Sequence, residues 1–209
     1  MHACKLLKAY YNEEGIKALI LDGKEMRTTG KLLNLNNKLK KLIIVEFNKN
    51  TYYDILEKIK LYENIKCFNG HIDDYIEKNN DPEINLVYFD LMENFFSSES
   101  SHGSDYPINQ FLFKTKVNEI ILAATFCLRN TNNTDFDTEV EKILIELDLI
   151  FRSHLFKYEC LLNKKDMRYR GQRGPNKALM FVIFYLKKDN NDNLKMREQD
   201  KFSSFNSFN

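Results

Sequence analysis

Four acidic or amide residues close successive apolar runs in this chain. Asp22, followed by Gly23, ends "KALILDG", and Glu46 ends the core of "KLIIVEFN". Asn69 ends "IKCFNG" and leads into Gly70, His71, Ile72, Asp73 and Asp74. Asp90 stands in "INLVYFDLM", with Glu93 and Asn94 just beyond. A carboxylate in such a place can accept hydrogen bonds from hydroxyls and amines, offset a cation, or take up a proton. One polar residue after an apolar run marks only where a strand stops. Several in succession along one sheet edge describe a rim suited to a ligand.

Glu46 has the sharpest chemistry of the set. It stands 24 residues past Asp22. An acid at the end of a second strand, about 20 residues past the first turn, commonly accepts hydrogen bonds from an adenosine ribose. The plainer reading is junction polarity, with Asn48 or Asn50 capping the helix that "NTYYDILEKIKLYE" predicts. After the first strand, "KEMRTTG" offers the hydroxyls of Thr28 and Thr29 and the cation of Arg27. Thr28 suits the cap of a helix starting near Gly30. Both threonines either contact a ligand or only cap that helix, and Arg27 either pairs with an anion or is solvated. No GxGxxG occurs anywhere, so no pyrophosphate cradle is present.

These residues need a scaffold, and the apolar pattern supplies one. Short runs rich in Ile, Val, Leu and Phe predict strands at 17–23, 41–48, 65–70, 84–92, 119–130, 156–165 and 178–188. Helical spacing predicts helices between them. The strongest spans 134–156, with Asp135 or Asp137 as its cap and Val140, Ile143, Leu144, Leu147, Ile150 and Phe151 as its stripe. Strands alternating with helices imply βαβ units, a mostly parallel sheet and helices on both faces. The last two strands are joined by "DMRYRGQRGPNK", which has no helical pattern. That predicts a hairpin and an antiparallel last strand.

The hairpin carries its own chemistry. Lys164, Lys165, Arg168, Arg170, Arg173 and Lys177 are opposed only by Asp166, with Tyr169 among them. Cations with an interleaved aromatic suit phosphates and stacked bases of RNA or DNA. A solvated turn is the alternative. His102 and Tyr106 lie in and after a polar stretch following the fourth strand, where a loop can close over a substrate.

Composition sets the outer limits. The chain has 209 residues and a formal net charge of +1, which fits one domain and excludes a globally basic nucleic-acid binder. Cys4, Cys67, Cys127 and Cys160 form no CxxC pair, so a zinc knuckle or redox dithiol is not expected. They read as buried thiols of a reducing compartment. No stretch approaches ~18 uninterrupted apolar residues, so a soluble intracellular protein without membrane contact is expected. Residues 1–188 read as one domain, and the polar end 189–209 as a disordered tail.

The strand order, the closing hairpin, the acid after strand two, the "NGHIDDYI" junction and the "YFDLMENFF" end of strand four resemble the class I S-adenosylmethionine-dependent methyltransferases. The resemblance covers residues 15 to 188. It implies a Rossmann-like α/β fold with a seven-stranded sheet, and S-adenosylmethionine as cofactor. It further implies that Asp22 and Gly23, with Thr28 nearby, hold the methionine end of the cofactor. Glu46 would bind the ribose hydroxyls. Gly70, His71 and Ile72 would lie along the adenine, with Asp73 near its exocyclic amine. Asp90 would sit where the methyl group meets the acceptor. Arg168, Tyr169, Arg170 and Arg173 would contact an RNA or DNA substrate. The chain departs from the family in having only Gly23 and Gly30 after its first strand, and no Asp/Asn-Pro-Pro-aromatic turn after the fourth. The alternative is a non-catalytic binding or scaffold subunit of the same fold. An enzyme acting on a small-molecule acceptor would need an apolar pocket instead of a basic rim.

Overall fold

The computed structural model describes residues 15–34, 38–79, 81–91, 95, 105–128, 136–170 and 178–189. Elements run β1 (Ile16–Leu21), α1 (Arg27–Leu33), β2 (Leu39–Glu46), α2 (Lys49–Ile59), β3 (Ile65–Asn69), α3 (Ile72–Lys78) and β4 (Leu86–Asp90). They continue with α4 (Tyr106–Lys114), β5 (Glu119–Cys127), α5 (Phe136–Ser153), β6 (Phe156–Cys160), α6 (Lys164–Met167), β7 (Arg168–Arg170) and β8 (Ala178–Lys188).

The strands form one sheet in the order β3-β2-β1-β4-β5-β8-β6. The first five pair in parallel. β8 is antiparallel to both β5 and β6, which makes β6 parallel to the rest. Strand order reverses between β1 and β4, where connections diverge to the two flanks of the sheet. In sheets of this type that switch point opens a crevice beyond the carboxyl ends of the strands.

Helices cover both faces. Alternation of side chains along each strand divides the core in two. Leu19, Ile43, Val45, Val87 and Phe89 point to one face, beneath α3, α4 and α5. Ala18, Ile20, Leu42 and Ile44 point to the other, beneath Leu32 of α1 and Ile55 and Ile59 of α2. Central strands are therefore buried on both sides, which is why "LIIV" reads as an unbroken apolar run. α5 buries Val140, Ile143, Leu147 and Phe151, with Leu144 and Ile150 packed beside them, as its spacing predicts. Asp137 lies in its first turn; Asp135 falls outside the described residues.

The sixth strand departs from its predicted form. It stops at Cys160, gives way to a single turn of helix, and resumes as β7 against the start of β8. Lys164 and Lys165 therefore sit on a short helix, and Lys164 pairs with Glu141. No helix among the described residues is long and apolar enough to cross a membrane. Residues 190–209, the predicted tail, lie outside the described residues.

Candidate functional site

The loop after β1 is built around Asp22. Its Oδ2 accepts from the Thr29 backbone N–H at 2.7 Å and from the Thr29 hydroxyl at 2.8 Å. α1 starts at Arg27, so Thr29 is the third residue of its first turn. The residue in the cap position is Met26, which offers no side-chain acceptor and adopts a left-handed backbone with φ 49°. Asp22 thus caps α1 from outside the helix. The structure corrects one expectation here: the helix begins at Arg27, three residues before Gly30, so Thr28 lies inside it and Met26 takes the cap position.

The segment between Asp22 and the helix closes a tight turn, with the Met26 N–H donating to the Gly23 carbonyl at 2.8 Å. Two contacts hold the turn on α2. Lys24 pairs with Asp54 at 3.0 Å, and the Lys58 ammonium donates to the Lys24 carbonyl at 2.6 Å. Met26 packs against the α1–α2 core and Arg27 is exposed. A Cβ placed on Gly23 would meet nothing within 4 Å. The space beside Gly23 is open, and neither Met26 nor Arg27 fills it.

At the ends of β2 and β3 a second polar cluster forms. Glu46 Oε1 accepts from the Asn48 N–H at 2.7 Å. Asn48 caps α2, its Oδ1 accepting from Asn50 N at 3.0 Å and Thr51 N at 3.1 Å. The Asn69 amide donates to the Glu46 carbonyl at 2.9 Å, and the Gly70 N–H donates to the same carbonyl at 3.2 Å. Beyond Gly70, the His71 ring stacks on Phe47, with centroids 5.7 Å apart and planes 14° from parallel. Phe47, the first residue past β2, is 69% exposed, an unusual placement for a phenylalanine. A flat aromatic platform therefore stands beside Glu46. Burial, and after it the charge of Glu46, push the Cys67 thiol up to about 12, which disfavours its thiolate.

Ile72 and Asp73 divide at this junction. The Ile72 side chain turns into the core beneath α3 and not toward the platform, because it is the first apolar position of that helix's buried face. Asp73 is half-buried in the first turn of α3. Tyr106, at the start of α4, donates to Glu77 at 3.0 Å and ties α4 to α3. Glu93 and His102 lie outside the described residues.

Asp90 ends β4 beside Thr125 of β5. Asp90 Oδ1 is buried and has no hydrogen-bond partner among the described residues. Burial raises the Asp90 pKa above the usual carboxylate value, the neighbouring Thr125 hydroxyl works against this, and the nearby charge of Asp22 raises it further. Asp22 and Asp90 flank the switch point between β1 and β4. By strand alternation from Ile20, Ile44 and Tyr88, the residues Asp22, Glu46 and Asp90 all lie toward the α1–α2 face. Among the described residues neither Asp22 nor Asp90 has a lysine or arginine partner. Two carboxylates so placed repel one another and favour a cation between them.

The basic hairpin reaches the same edge. Leu179 of β8 pairs with Cys127 at the carboxyl end of β5, and with Tyr169 of β7. The register thus carries the backbone of Arg168, Tyr169 and Arg170 to the edge that holds Asp90. Arg173 and Lys177 fall outside the described residues.

Solved structures with the same architecture include a candidate RNA methyltransferase from Pyrococcus horikoshii. It aligns with a TM-score of 0.58 at 16% identity over 91% of this chain and 82% of that one. The chain has the class I methyltransferase fold. TYW2 of M. jannaschii, solved in complex with AdoMet, aligns with a TM-score of 0.55 at 12% identity over 90% of this chain and 75% of that one. A SAM-dependent methyltransferase from Aquifex aeolicus aligns with a TM-score of 0.51 at 15% identity over 88% of each chain. No family model and no curated protein matches the sequence. Asp22, Glu46, the Phe47–His71 platform and Asp90 all stand at the carboxyl edge of the sheet, around the switch point between β1 and β4. Sequence reasoning named Thr29 as a hydroxyl or a cap and missed Phe47 and Thr125. Only Phe47 left a signal, as an aromatic residue next to the acid.

Proposed function

We propose that this chain binds S-adenosylmethionine and transfers its methyl group to an acceptor. The observation that carries the reading is the pair of carboxylates at the switch point, Asp22 and Asp90, with open space beside Gly23. The residues present fit this cofactor, which presents an ammonium, a sulfonium and a ribose but no phosphate. Bound there, it supplies an electrophilic methyl group, so the protein's work is placement and charge.

Asp22 receives the ammonium while Thr29 holds its carboxylate still. Gly23 leaves room for the methionine tail. Glu46 accepts from the ribose hydroxyls through Oε2, its Oε1 being committed to Asn48. Phe47 and His71 offer a stacking face to the adenine, with the Gly70 and Ile72 backbone along its edge and Asp73 near its amine. Stacking of a base on such a ring contributes on the order of 1–3 kcal/mol. Asp90 faces the acceptor.

The acceptor in this reading is RNA or DNA. Support comes from the basic β7–β8 hairpin, whose backbone reaches the same edge. Further support comes from neighbours of this fold, one named as a candidate RNA methyltransferase and one a fibrillarin–Nop5p complex. Changing Arg168, Arg170 and Arg173 together to Ala weakens RNA binding and its salt dependence; unchanged affinity removes this part.

A second reading, a scaffold without turnover, is favoured by one observation. Asp22 and Glu46 each already engage one oxygen in capping their own loops. Isothermal titration with S-adenosylmethionine separates the two, since a scaffold of this kind gives no binding heat at millimolar ligand.

A further inference from the structure

A cleft of about 530 Å³ opens between α3 and the β2–β3 edge of the sheet, on the face opposite that of Asp22, Glu46 and Asp90. Its size is that of a small-molecule site. The β2–β3 register pairs Ile43 with Lys66. Lys41, Ile43, Lys66 and Phe68 therefore share the face beneath α3 and form one wall. Tyr75 and Lys78 of α3 form the other.

Charge in this cleft is unbalanced. Three of its lining residues are lysines and one is an aspartate, Asp81. Lys41 pairs with Asp81, so that carboxylate already has its cation. Lys78 pairs with Asp74 one turn back at 3.0 Å, an exposed pair of little strength. Lys66 is exposed and has no carboxylate partner among the described residues. The helix adds a phenol without a partner. Tyr75 is 7% exposed, its ring edge-on to Phe68 with centroids 5.4 Å apart and planes at 69°. Its hydroxyl has no hydrogen-bond partner among the described residues. Polar groups so deeply set are normally bonded, and an orphan at a cleft marks a place for a ligand. Burial, and after it the charge of Asp81, push the Tyr75 hydroxyl up to about 12, so it keeps its proton to donate.

We propose that this cleft is a second binding site, for a phosphate ester of mononucleotide size. Lys66 and Lys78 meet the phosphate, and the Tyr75 hydroxyl donates to it. A phosphate offers charge and acceptor oxygens, which matches two ammoniums and a phenol. A bare anion would use those donors alone. Phe68 and Ile43 add an apolar wall, which suits the base of an ester. None of these residues belongs to the switch-point site, so the inference does not rest on the methyltransferase reading.

Isothermal titration of the full chain with uridine 5′-monophosphate tests it, with inorganic phosphate and uridine run as the separate halves. The expected result is saturable binding of the monophosphate, at least about tenfold tighter than either half. Lys66→Ala is expected to weaken it at least about fivefold, and Tyr75→Phe, which keeps the ring, about threefold or more. Lys60→Ala removes the same charge at the end of α2, over the other face, and is expected to change nothing. No binding at ~10 mM monophosphate overturns the proposal. So does unchanged affinity in Lys66→Ala or Tyr75→Phe, or an equal loss in Lys60→Ala, which reduces the effect to net charge. Inorganic phosphate binding as tightly as the ester overturns the apolar wall's part. Saturating S-adenosylhomocysteine is expected to leave the monophosphate affinity unchanged; competition puts the ligand in the switch-point site and overturns the cleft. A short oligouridylate separates the sources of the ester. Tighter binding that Lys66→Ala abolishes supports a nucleic-acid strand, and binding no tighter supports a free nucleotide.

Discussion

Replacing Asp22 by Ala removes two hydrogen bonds at one oxygen, and the structure lets their contributions be separated. One is the cap of α1: the Thr29 N–H at 2.7 Å has no alternative, since Met26 in the cap position carries no acceptor. Loss of a cap costs about 1 kcal/mol. The other is the Thr29 hydroxyl, bonded at 2.8 Å on a residue with no exposed surface. Stranding a buried donor costs about 1–3 kcal/mol. Asp22→Ala is therefore expected to lose about 2–4 kcal/mol. Thr29→Val removes only the hydroxyl and leaves Asp22 bonded to the backbone, for about 1 kcal/mol. In the double variant no hydroxyl is stranded, so the two losses fall short of additive by about 1 kcal/mol or more. The assay is urea unfolding of the four chains, read as shifts of midpoint at constant slope. Additive losses, or an Asp22→Ala chain within about 0.5 kcal/mol of wild type, refute the remote-cap reasoning.

Other consequences can be measured alongside. Gly23→Ala leaves stability within about 0.5 kcal/mol, since the added methyl meets nothing, yet weakens S-adenosylhomocysteine binding by filling the open space; equal affinity shows that the tail lies elsewhere. Gly70→Ala places a Cβ 2.7 Å from the Phe68 ring and loses about 1–3 kcal/mol by thermal or urea unfolding. Asn48→Ala removes the α2 cap and loses about 1 kcal/mol, with Asn48→Asp retaining most of it. The pH dependence of Asp90 has a definite sign. Its folded pKa is raised, mainly by burial, so folding takes up a proton between the unfolded and folded values. Stability falls as pH rises through that window and stays lowered above it. Asp90→Asn is thus expected to stabilise the chain at pH 7, with the gain vanishing as pH falls below the ordinary carboxylate range; a gain that persists in acid contradicts the burial argument.

The sheet was legible because its strands are buried on both faces and bounded by polar residues. Continuous runs such as "LIIV" fix both the strand and its burial, and the hairpin without helical spacing fixes the antiparallel end. Acids that end strands were legible for the same reason, as the first polar residue after an apolar run. What stayed hidden depends on contacts across sequence. Met26 takes a left-handed backbone with no glycine or asparagine to announce it, so the helix starts earlier than its sequence suggests and Thr28 falls inside it. Phe47 reads as one more apolar residue of the strand at 41–48 until His71 is seen against it. Tyr88, Thr125 and Asp90 meet only through the β4–β5 register, and Thr125 sits 35 residues beyond Asp90 in a run that otherwise reads as apolar core. β7 is three residues long and has no apolar alternation to reveal it.

The central claim is that Asp22, Glu46 and Asp90 frame a site for S-adenosylmethionine. Isothermal titration of the full chain with S-adenosylmethionine, and with Asp22→Ala and Glu46→Ala variants beside it, tests this most directly. The expected result is saturable binding at one site per chain, tighter than about 1 mM and weakened at least about tenfold by either variant. No binding heat from the wild-type chain at millimolar ligand, or equal affinity in all three chains, contradicts it.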